Sequence, residues 1–269
     1  MNARARGALL GLACVVALGR ASAECRQPGF DGRRILEEAG SIDESADACW
    51  WLSSGAQFEL RDGVGRTVQG ELPRDAEWRR RYAESNPVDT DDGAHPQNLL
   101  RLVARDRWGD FRQEVRFRIQ RVNLSKSAER GEWSGVLLFL RYQDSENLYY
   151  AGLRMDGTAV IKKKLGGEYT TLAQQPVYAQ PTAWDRDRHP SLLPMHHWIG
   201  LAAAIRTDAE GAVHIAVSVR DGERHEGWRR IVEAVDEGRD GAVLRNPGHA
   251  GLRGDFMDLE FSDYAISGS

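Results

Sequence analysis

The chain has 269 residues, of which 41% are hydrophobic and 28% charged, with a mean hydropathy of −0.52. These values are typical of a water-soluble globular protein, and they exclude a multi-pass membrane protein or a disordered tail. The net charge of −4 argues against a general nucleic-acid-binding protein, which would be basic. Lysine accounts for only four of the 36 basic residues, and three of the four are consecutive, Lys162–Lys164.

The first 23 residues have the pattern of a secretory signal peptide. Arg4 and Arg6 precede an apolar segment over residues 8–19, and Ala21-Ser22-Ala23 offers the small residues that a signal peptidase requires. Cleavage removes three arginines and no acid, which leaves 33 basic against 40 acidic residues and a net charge of −7. The alternative is a lipoprotein acylated at Cys14, but the residues before Cys14 make a poor lipobox. The sequence therefore predicts a periplasmic or secreted protein without a transmembrane segment after cleavage.

Two cysteines remain after the predicted cleavage, Cys25 and Cys49. In an oxidising compartment a disulfide between them would pin the new N-terminus to the folded body. Two cysteines without a nearby histidine pair make a poor zinc site. We therefore predict a disulfide in preference to two free thiols, and no metal at this pair.

The remaining chain is predicted to form one domain of short strands. Residues 24–55 form an N-terminal extension in which Phe30–Glu38 can make one short helix. From residue 56 to 269, apolar runs of strand length alternate with Gly, Asp and Asn turns, which is typical of an all-β sandwich or barrel. The predicted strands are residues 56–60, 98–104, 111–120, 135–142, 148–155, 158–165, 168–173, 198–206, 212–220, 228–234, 250–253 and 257–266. Two long irregular stretches, 73–97 and 174–197, could rim a binding site.

The middle and the end of this domain resemble a known superfamily. The segment NLYYAGLRMDG at 147–157, the returning basic strand and Gly166-Gly167-Glu168-Tyr169 resemble the middle of a concanavalin A-like lectin/glucanase jelly roll. The segment 248–266, with its Gly-x-x-Gly-Leu-Arg strand, resembles the end of that fold. The resemblance implies a two-sheet antiparallel β-sandwich. Such folds host lectins, carbohydrate-binding modules, glycoside hydrolases and polysaccharide lyases.

The hairpin around Asp156-Gly157 carries the most informative residues. Because alternate residues of a strand share a face, Tyr150, Arg154, Lys162 and Lys164 are predicted on one open surface, opposite the core-facing set that begins with Tyr149. An aromatic ring beside cations suits a sugar that carries carboxylate or sulfate groups. The competing interpretation is a solvated strand whose lysines protect a sheet edge against aggregation.

Two catalytic functions are alternatives to pure binding. Glycosidases need two carboxylates facing one site, and Asp258 with Glu260 on the final strand is a weak match that more often reflects exposed acids. A lyase needs a base beside a uronate carboxylate, and Tyr150, Arg154, Lys162 and one of His196 or His197 would supply such a set.

Two loop residues complete the predicted carbohydrate site, Trp184 as a stacking indole and His197 at the start of a strand. No cofactor motif is present in the sequence, although the oxygen-rich segment 89–93 would suit a structural calcium ion. The sequence predicts an exported carbohydrate-binding protein that recognises an anionic polysaccharide on its concave face. A polysaccharide lyase or glycoside hydrolase on the same fold is the alternative, and a periplasmic structural or interaction protein without a sugar site is the second alternative.

Overall fold

The computed structural model describes residue 25 and residues 27–178, 181–222 and 227–268. The predicted signal peptide and Cys14 lie outside these described residues. Within them, no helix has the length and apolar character needed to cross a bilayer.

The described residues form two antiparallel sheets stacked as a β-sandwich. The strands are β1 (Arg33–Glu37), β2 (Trp50–Ser54), β3 (Gln57–Arg61), β4 (Val64–Thr67), β5 (Leu99–Trp108), β6 (Phe111–Val122), β7 (Gly135–Asp144), β8 (Asn147–Arg154), β9 (Thr158–Leu165), β10 (Glu168–Pro176), β11 (Ile199–Thr207), β12 (Val213–Asp221), β13 (Arg229–Asp236), β14 (Gly248–Asp255) and β15 (Met257–Gly268). The eight-stranded sheet has the order β1-β3-β4-β15-β6-β11-β12-β13, and the seven-stranded sheet has the order β10-β9-β8-β7-β14-β5-β2. The predicted two-sheet antiparallel sandwich of jelly-roll type is confirmed.

The main core lies between the two sheets, and period-two alternation decides which side chains enter it. On β8, Tyr149, Ala151 and Leu153 pack in this core, whereas Tyr150 belongs to a second apolar cluster on the outer face of the seven-stranded sheet. The predicted division of β8 into a core face and an outer face is therefore confirmed.

A tight turn joins β8 to β9 at the predicted Asp156-Gly157. Gly157 adopts a φ of +78°, which favours glycine. A Cβ at this position would also approach the Tyr178 carbonyl oxygen to 2.6 Å. Glycine is needed here both for the backbone angle and for the close approach of the segment after β10.

The predicted short helix at Phe30–Glu38 is wrong, because residues 33–37 form strand β1. This strand pairs with β3 in a register that sets Leu36 opposite Phe58, and Leu36 is buried. A helix of nine residues is marginal on its own, so pairing with an open sheet edge outweighs local helix propensity.

The α-helix found among the described residues lies elsewhere, within the predicted irregular stretch 73–97. Helix α1 (Glu77–Ser85) buries Tyr82, whose hydroxyl donates to Glu38 Oε2 at 2.5 Å and accepts from the Gly55 amide at 2.9 Å. A 3₁₀ turn follows at Pro96–Asn98. These contacts fasten the first long connection to the sandwich.

The residues predicted as an N-terminal extension contribute a strand to each sheet, β1 to the eight-stranded sheet and β2 to the seven-stranded sheet. The predicted disulfide is confirmed. Cys25 and Cys49 are joined, with their Cα atoms 4.9 Å apart. This bond holds residue 25 beside the start of β2.

Candidate functional site

A groove lies on the outer face of the seven-stranded sheet. It consists of two cavities of about 310 and 480 Å³ that share four lining residues, Arg101, Tyr150, Tyr169 and Arg253. We call this combined surface the outer groove. All seven strands of this sheet contribute lining residues to it.

The sheet face that supports the outer groove is apolar and rich in aromatic rings. Its outer-face cluster, which Trp51 partly covers, consists of Val103, Leu137, Phe139, Tyr142, Leu148, Tyr150 and Val160. Aromatic faces of this kind can pack against the C–H face of a sugar ring while their surroundings supply polar contacts.

Strand register brings the lysines and two tyrosines together above this floor. Lys162 lies opposite Tyr150, and Lys164 lies opposite Tyr169. The two tyrosine rings meet edge to face with centroids 6.0 Å apart. The Lys162 and Lys164 ammonium groups lie 5.9 and 5.0 Å from the centroid of the Tyr169 ring. Predicted neighbours Tyr150, Lys162 and Lys164 therefore share one surface.

Two arginines missed by the sequence analysis complete the cationic side of the outer groove. Arg101 on β5 and Arg253 on β14 are register partners. The Arg253 guanidinium lies 5.7 Å from the Tyr150 ring centroid and donates to Asp255 at 2.8 Å. Although burial opposes its charge, the Asp255 carboxylate raises the pKa of Arg253. Arg253 is therefore a permanently charged side chain held in place at the lining of the groove.

The cations differ in how well the protein itself neutralises them. Lys164 donates to Glu146 at 3.1 Å and to the Ser145 carbonyl at 2.9 Å. Arg101, in contrast, donates only at long distance, to the Ser54 hydroxyl at 3.3 Å and the Leu99 carbonyl at 3.4 Å, and it has no carboxylate partner in the part of the chain that the structure describes. Burial, together with the nearby Arg253 charge, lowers the pKa of Arg101.

Of these cations, Lys162 is the one that the protein neutralises least. Among the described residues it has neither a hydrogen bond nor an ion pair, and its recorded contact is the Tyr169 ring. Partial burial, followed by the positive charges of Arg154 and Arg253, lowers the pKa of Lys162. An ammonium group held in this way gains most from an anionic ligand, because such a ligand supplies the missing counter-charge.

Tyr150 supplies a hydroxyl donor to the same surface. Burial raises the pKa of its phenol, and Arg253 opposes this effect only in part. The phenol therefore stays protonated at neutral pH and can donate a hydrogen bond to a ligand oxygen.

An exposed indole, also missed by the sequence analysis, borders the larger cavity. Trp133 is 49% exposed, and its Nε1 donates to the Glu129 carbonyl at 3.1 Å. Its ring lies across Gly131, where an added Cβ would come within 2.5 Å of it. This rigid, exposed ring lies in a short Gly-Glu-Trp-Ser-Gly segment, and the flanking glycines are the sequence signal that could have found it.

The remaining predicted site residues lie outside the outer groove. Arg154 shares the sheet face but is engaged by Asp156 at 2.7 Å and Glu132 at 3.2 Å. Trp184 donates to the Pro190 carbonyl at 3.0 Å and packs against the main core. His197 is exposed just before β11, a strand of the eight-stranded sheet. Neither Trp184 nor His197 lines the groove.

The acidic pair weighed for hydrolysis is also distant from the groove, on β15 of the other sheet. Asp258 accepts from Gln97 at 2.8 Å and from Asn123 at 3.0 Å. Glu260 accepts from Arg66 at 2.7 Å and also from Arg118. Although burial acts in the opposite direction, these hydrogen bonds lower the pKa of Glu260. Glu260 therefore stays ionised and is a poor general acid.

The oxygen-rich segment 89–93 is engaged by neighbouring side chains. Asp91 accepts from Ser125 at 2.7 Å and contacts His95 at 2.9 Å, and Asp89 accepts from Ser127. Within the described ranges, no group of three or more His, Cys, Asp or Glu side chains is placed to hold a metal ion.

Comparison with known proteins gives structural matches alone. No family model and no curated protein matches the sequence. A carbohydrate-binding module from Bacillus subtilis matches at 12% identity and a TM-score of 0.45, covering 81% of this chain and 94% of that chain. A Bacillus subtilis protein of unknown function with a galectin-like fold matches at 15% identity and a TM-score of 0.45, covering 90% of this chain and 97% of that chain. A beta-1,3-1,4-glucanase derived from a mouse hindgut metagenome matches at 11% identity and a TM-score of 0.44, covering 89% of this chain and 96% of that chain. Matches of this strength assign the chain neither a family nor an activity.

Proposed function

We propose that this protein is an exported carbohydrate-binding protein of the concanavalin A-like type that recognises an anionic polysaccharide in the outer groove. The observation that carries the proposal is Lys162, a half-buried ammonium without a carboxylate partner among the described residues. It lies on the strand position opposite Tyr150, and its Nζ is 5.9 Å from the Tyr169 ring centroid. Export rests on the signal-peptide pattern of residues 1–23.

The chemistry of the outer groove matches the two parts of an acidic sugar. Tyr150 and Tyr169 offer ring surfaces to the apolar face of a pyranose. Arg101 and Lys162 offer donors to a carboxylate or sulfate, and hydrogen bonds to charged groups are the stronger kind. Because the chain as a whole is acidic, this local excess of positive charge also favours association with an anion at this surface.

The test is titration calorimetry of the chain with an oligogalacturonate and with a neutral glucan of equal length. We expect binding of the anionic probe alone, and Lys162→Ala should weaken it about tenfold, as loss of a charge-assisted contact predicts. Lys126→Ala is the matched control, because Lys126 is exposed and lies outside the groove. Equal effects of the two substitutions would contradict the assignment.

A second candidate, a polysaccharide lyase, is favoured by the register pairing of Lys162 with Tyr150. A neutral Lys162 amine would take the proton next to the uronate carboxylate, and the Tyr150 phenol would donate one to the leaving glycosidic oxygen. Analysing the products after the protein has been mixed with the same glycans distinguishes the functions. Unsaturated product seen by ultraviolet absorbance means a lyase, new reducing ends without it mean a hydrolase, and heat of binding without product means a binding protein. No binding or product with any glycan would support a structural or interaction protein.

A further inference from the structure

The two cavities of the outer groove differ in the charges of the side chains that line them. We call its smaller cavity the cationic lobe and its larger cavity the indole lobe. Both lobes share Arg101 and Arg253. The cationic lobe adds Lys164 and one carboxylate, Glu146. Three cations therefore face a single acid in this lobe.

The indole lobe has an even balance of charges. To the shared arginines it adds Lys162, and its three carboxylates equal its three cations in number. Those carboxylates are Asp89, Glu129 and Asp255. Arg253 engages Asp255 at 2.8 Å, whereas the Glu129 side chain has no recorded partner among the described residues. An unpaired carboxylate repels an acidic sugar, but it accepts hydrogen bonds from the hydroxyls of a neutral one.

The indole lobe also contains a prepared stacking surface. Trp133 is fixed by its Nε1 bond to the Glu129 carbonyl and by its packing on Gly131. Fixing an exposed ring before binding reduces the entropy lost when a ligand stacks on it. The cationic lobe has Phe139, Tyr142 and Leu148 on its floor instead, and these are buried in the sheet face.

We propose that the outer groove selects a mixed saccharide. Its acidic sugar lies in the cationic lobe with the carboxylate directed to Lys162, whose ammonium borders that lobe beside the shared Tyr169 ring. Its uncharged, hydroxyl-rich sugar stacks on Trp133 in the indole lobe. This inference rests on the proposed function and narrows its ligand class. A polymer that carries a carboxylate on every residue would place one of them against Glu129. A polymer that alternates uronate with neutral sugar avoids that repulsion.

The test compares three hexasaccharides by titration calorimetry: hyaluronan, which alternates uronate with a neutral N-acetylhexosamine, oligogalacturonate, which is charged at every residue, and a cello-oligosaccharide. We expect hyaluronan to bind about tenfold more tightly than oligogalacturonate, a difference equivalent to one lost polar contact. The neutral cello-oligosaccharide should show no measurable binding.

Substitutions at two exposed residues of the indole lobe test its contribution to binding without disturbing the fold. Trp133→Ala should weaken the binding of hyaluronan about tenfold and that of oligogalacturonate much less, because only hyaluronan stacks a neutral sugar on this ring. Glu129→Gln should strengthen the binding of oligogalacturonate and so reduce the preference for hyaluronan. Glu210→Gln, an exposed acid in the turn between β11 and β12, is the matched control and should change neither.

The outcomes distinguish this inference from the proposed function. Oligogalacturonate binding as tightly as hyaluronan, with no change in preference on Glu129→Gln, would overturn the two-lobe inference and leave anionic-glycan binding intact. Absence of binding by both anionic probes would overturn both proposals.

Discussion

Lys162 and Lys163 are consecutive residues of β9, yet they occupy opposite electrostatic settings. Lys163 points between the sheets, where its ammonium lies 2.9 Å from Asp236 and both side chains are at most 2% exposed. It also donates to the Gly241 and Ala242 carbonyls, each at 3.3 Å. Lys162 points outward and lacks a carboxylate partner among the described residues. One lysine is satisfied by the fold, and its neighbour remains available to a ligand.

The tyrosines of the adjoining strand repeat this contrast. The buried Tyr149 hydroxyl donates to Asp236 at 2.6 Å and accepts from the Leu244 amide at 3.1 Å. The Tyr150 hydroxyl, one residue later, has no recorded hydrogen-bond partner in the described part of the chain. Inward-facing polar groups therefore support stability, and outward-facing ones support recognition.

The largest expected effect is on the inward side. Lys163→Ala leaves Asp236 as a buried charge without its counter-ion, so we expect the free energy of unfolding to fall by about 3–5 kcal/mol. Urea denaturation monitored by tryptophan fluorescence measures it. Lys162→Ala is the matched control and should change stability by less than about 1 kcal/mol, since surface substitutions usually do little. Equal destabilisation by both variants would break the comparison.

A smaller effect is expected from the tyrosines. Tyr149→Phe removes one hydroxyl and leaves the buried Asp236 carboxylate and the part-buried Leu244 amide each short of a hydrogen bond, which should cost about 1–3 kcal/mol of stability. Tyr150→Phe should leave stability within about 0.5 kcal/mol and act instead on glycan affinity. Thermal and urea unfolding of the two variants would measure their stability, and titration with oligogalacturonate would measure their glycan affinity. Loss of stability in Tyr150→Phe with unchanged affinity would contradict it.

The smallest expected effect is on pH dependence. Because burial lowers the pKa of Lys162 from 10.5, its charge is present below that lowered pKa and is lost as pH rises through it. Affinity for an anionic glycan should therefore decline on the alkaline side at a lower pH than an ordinary lysine would give. Lys162→Arg keeps its charge throughout and should flatten the alkaline decline. An identical pH profile for both proteins would show that Lys162 does not meet the anion.

Local periodicity explains what could be predicted from the sequence. The period-two alternation of residues 147–165 and the Asp156-Gly157 turn are short-range features, so they predicted correctly that Tyr149 faces the core and that Tyr150, Lys162 and Lys164 share the other face. Lys163, between the two outward-facing lysines, lies on the inner face, where it forms an ion pair with Asp236.

The missed residues depend on contacts between distant segments. Arg101 and Arg253 join the outer groove because β14 inserts between β7 and β5, and no local pattern specifies that order. Similarly, the stretch around Ile35 contains good helix formers, but the open edge of β3 recruits it as a strand. The environment of a loop indole also depends on what packs against it: Trp184 packs on the main core, whereas Trp133 remains 49% exposed.

The position of β14 has a consequence for when the outer groove comes into existence. In the described sheet this strand is the link between β7 and β5, and it comes from residues 248–255. Until those residues pair with β7 and β5, Lys162 on β9 and Arg101 on β5 belong to separate, unjoined ribbons. Assembly of the groove therefore waits for the pairing of β14, and a variant truncated before residue 248 would carry the lysines without a surface on which to use them.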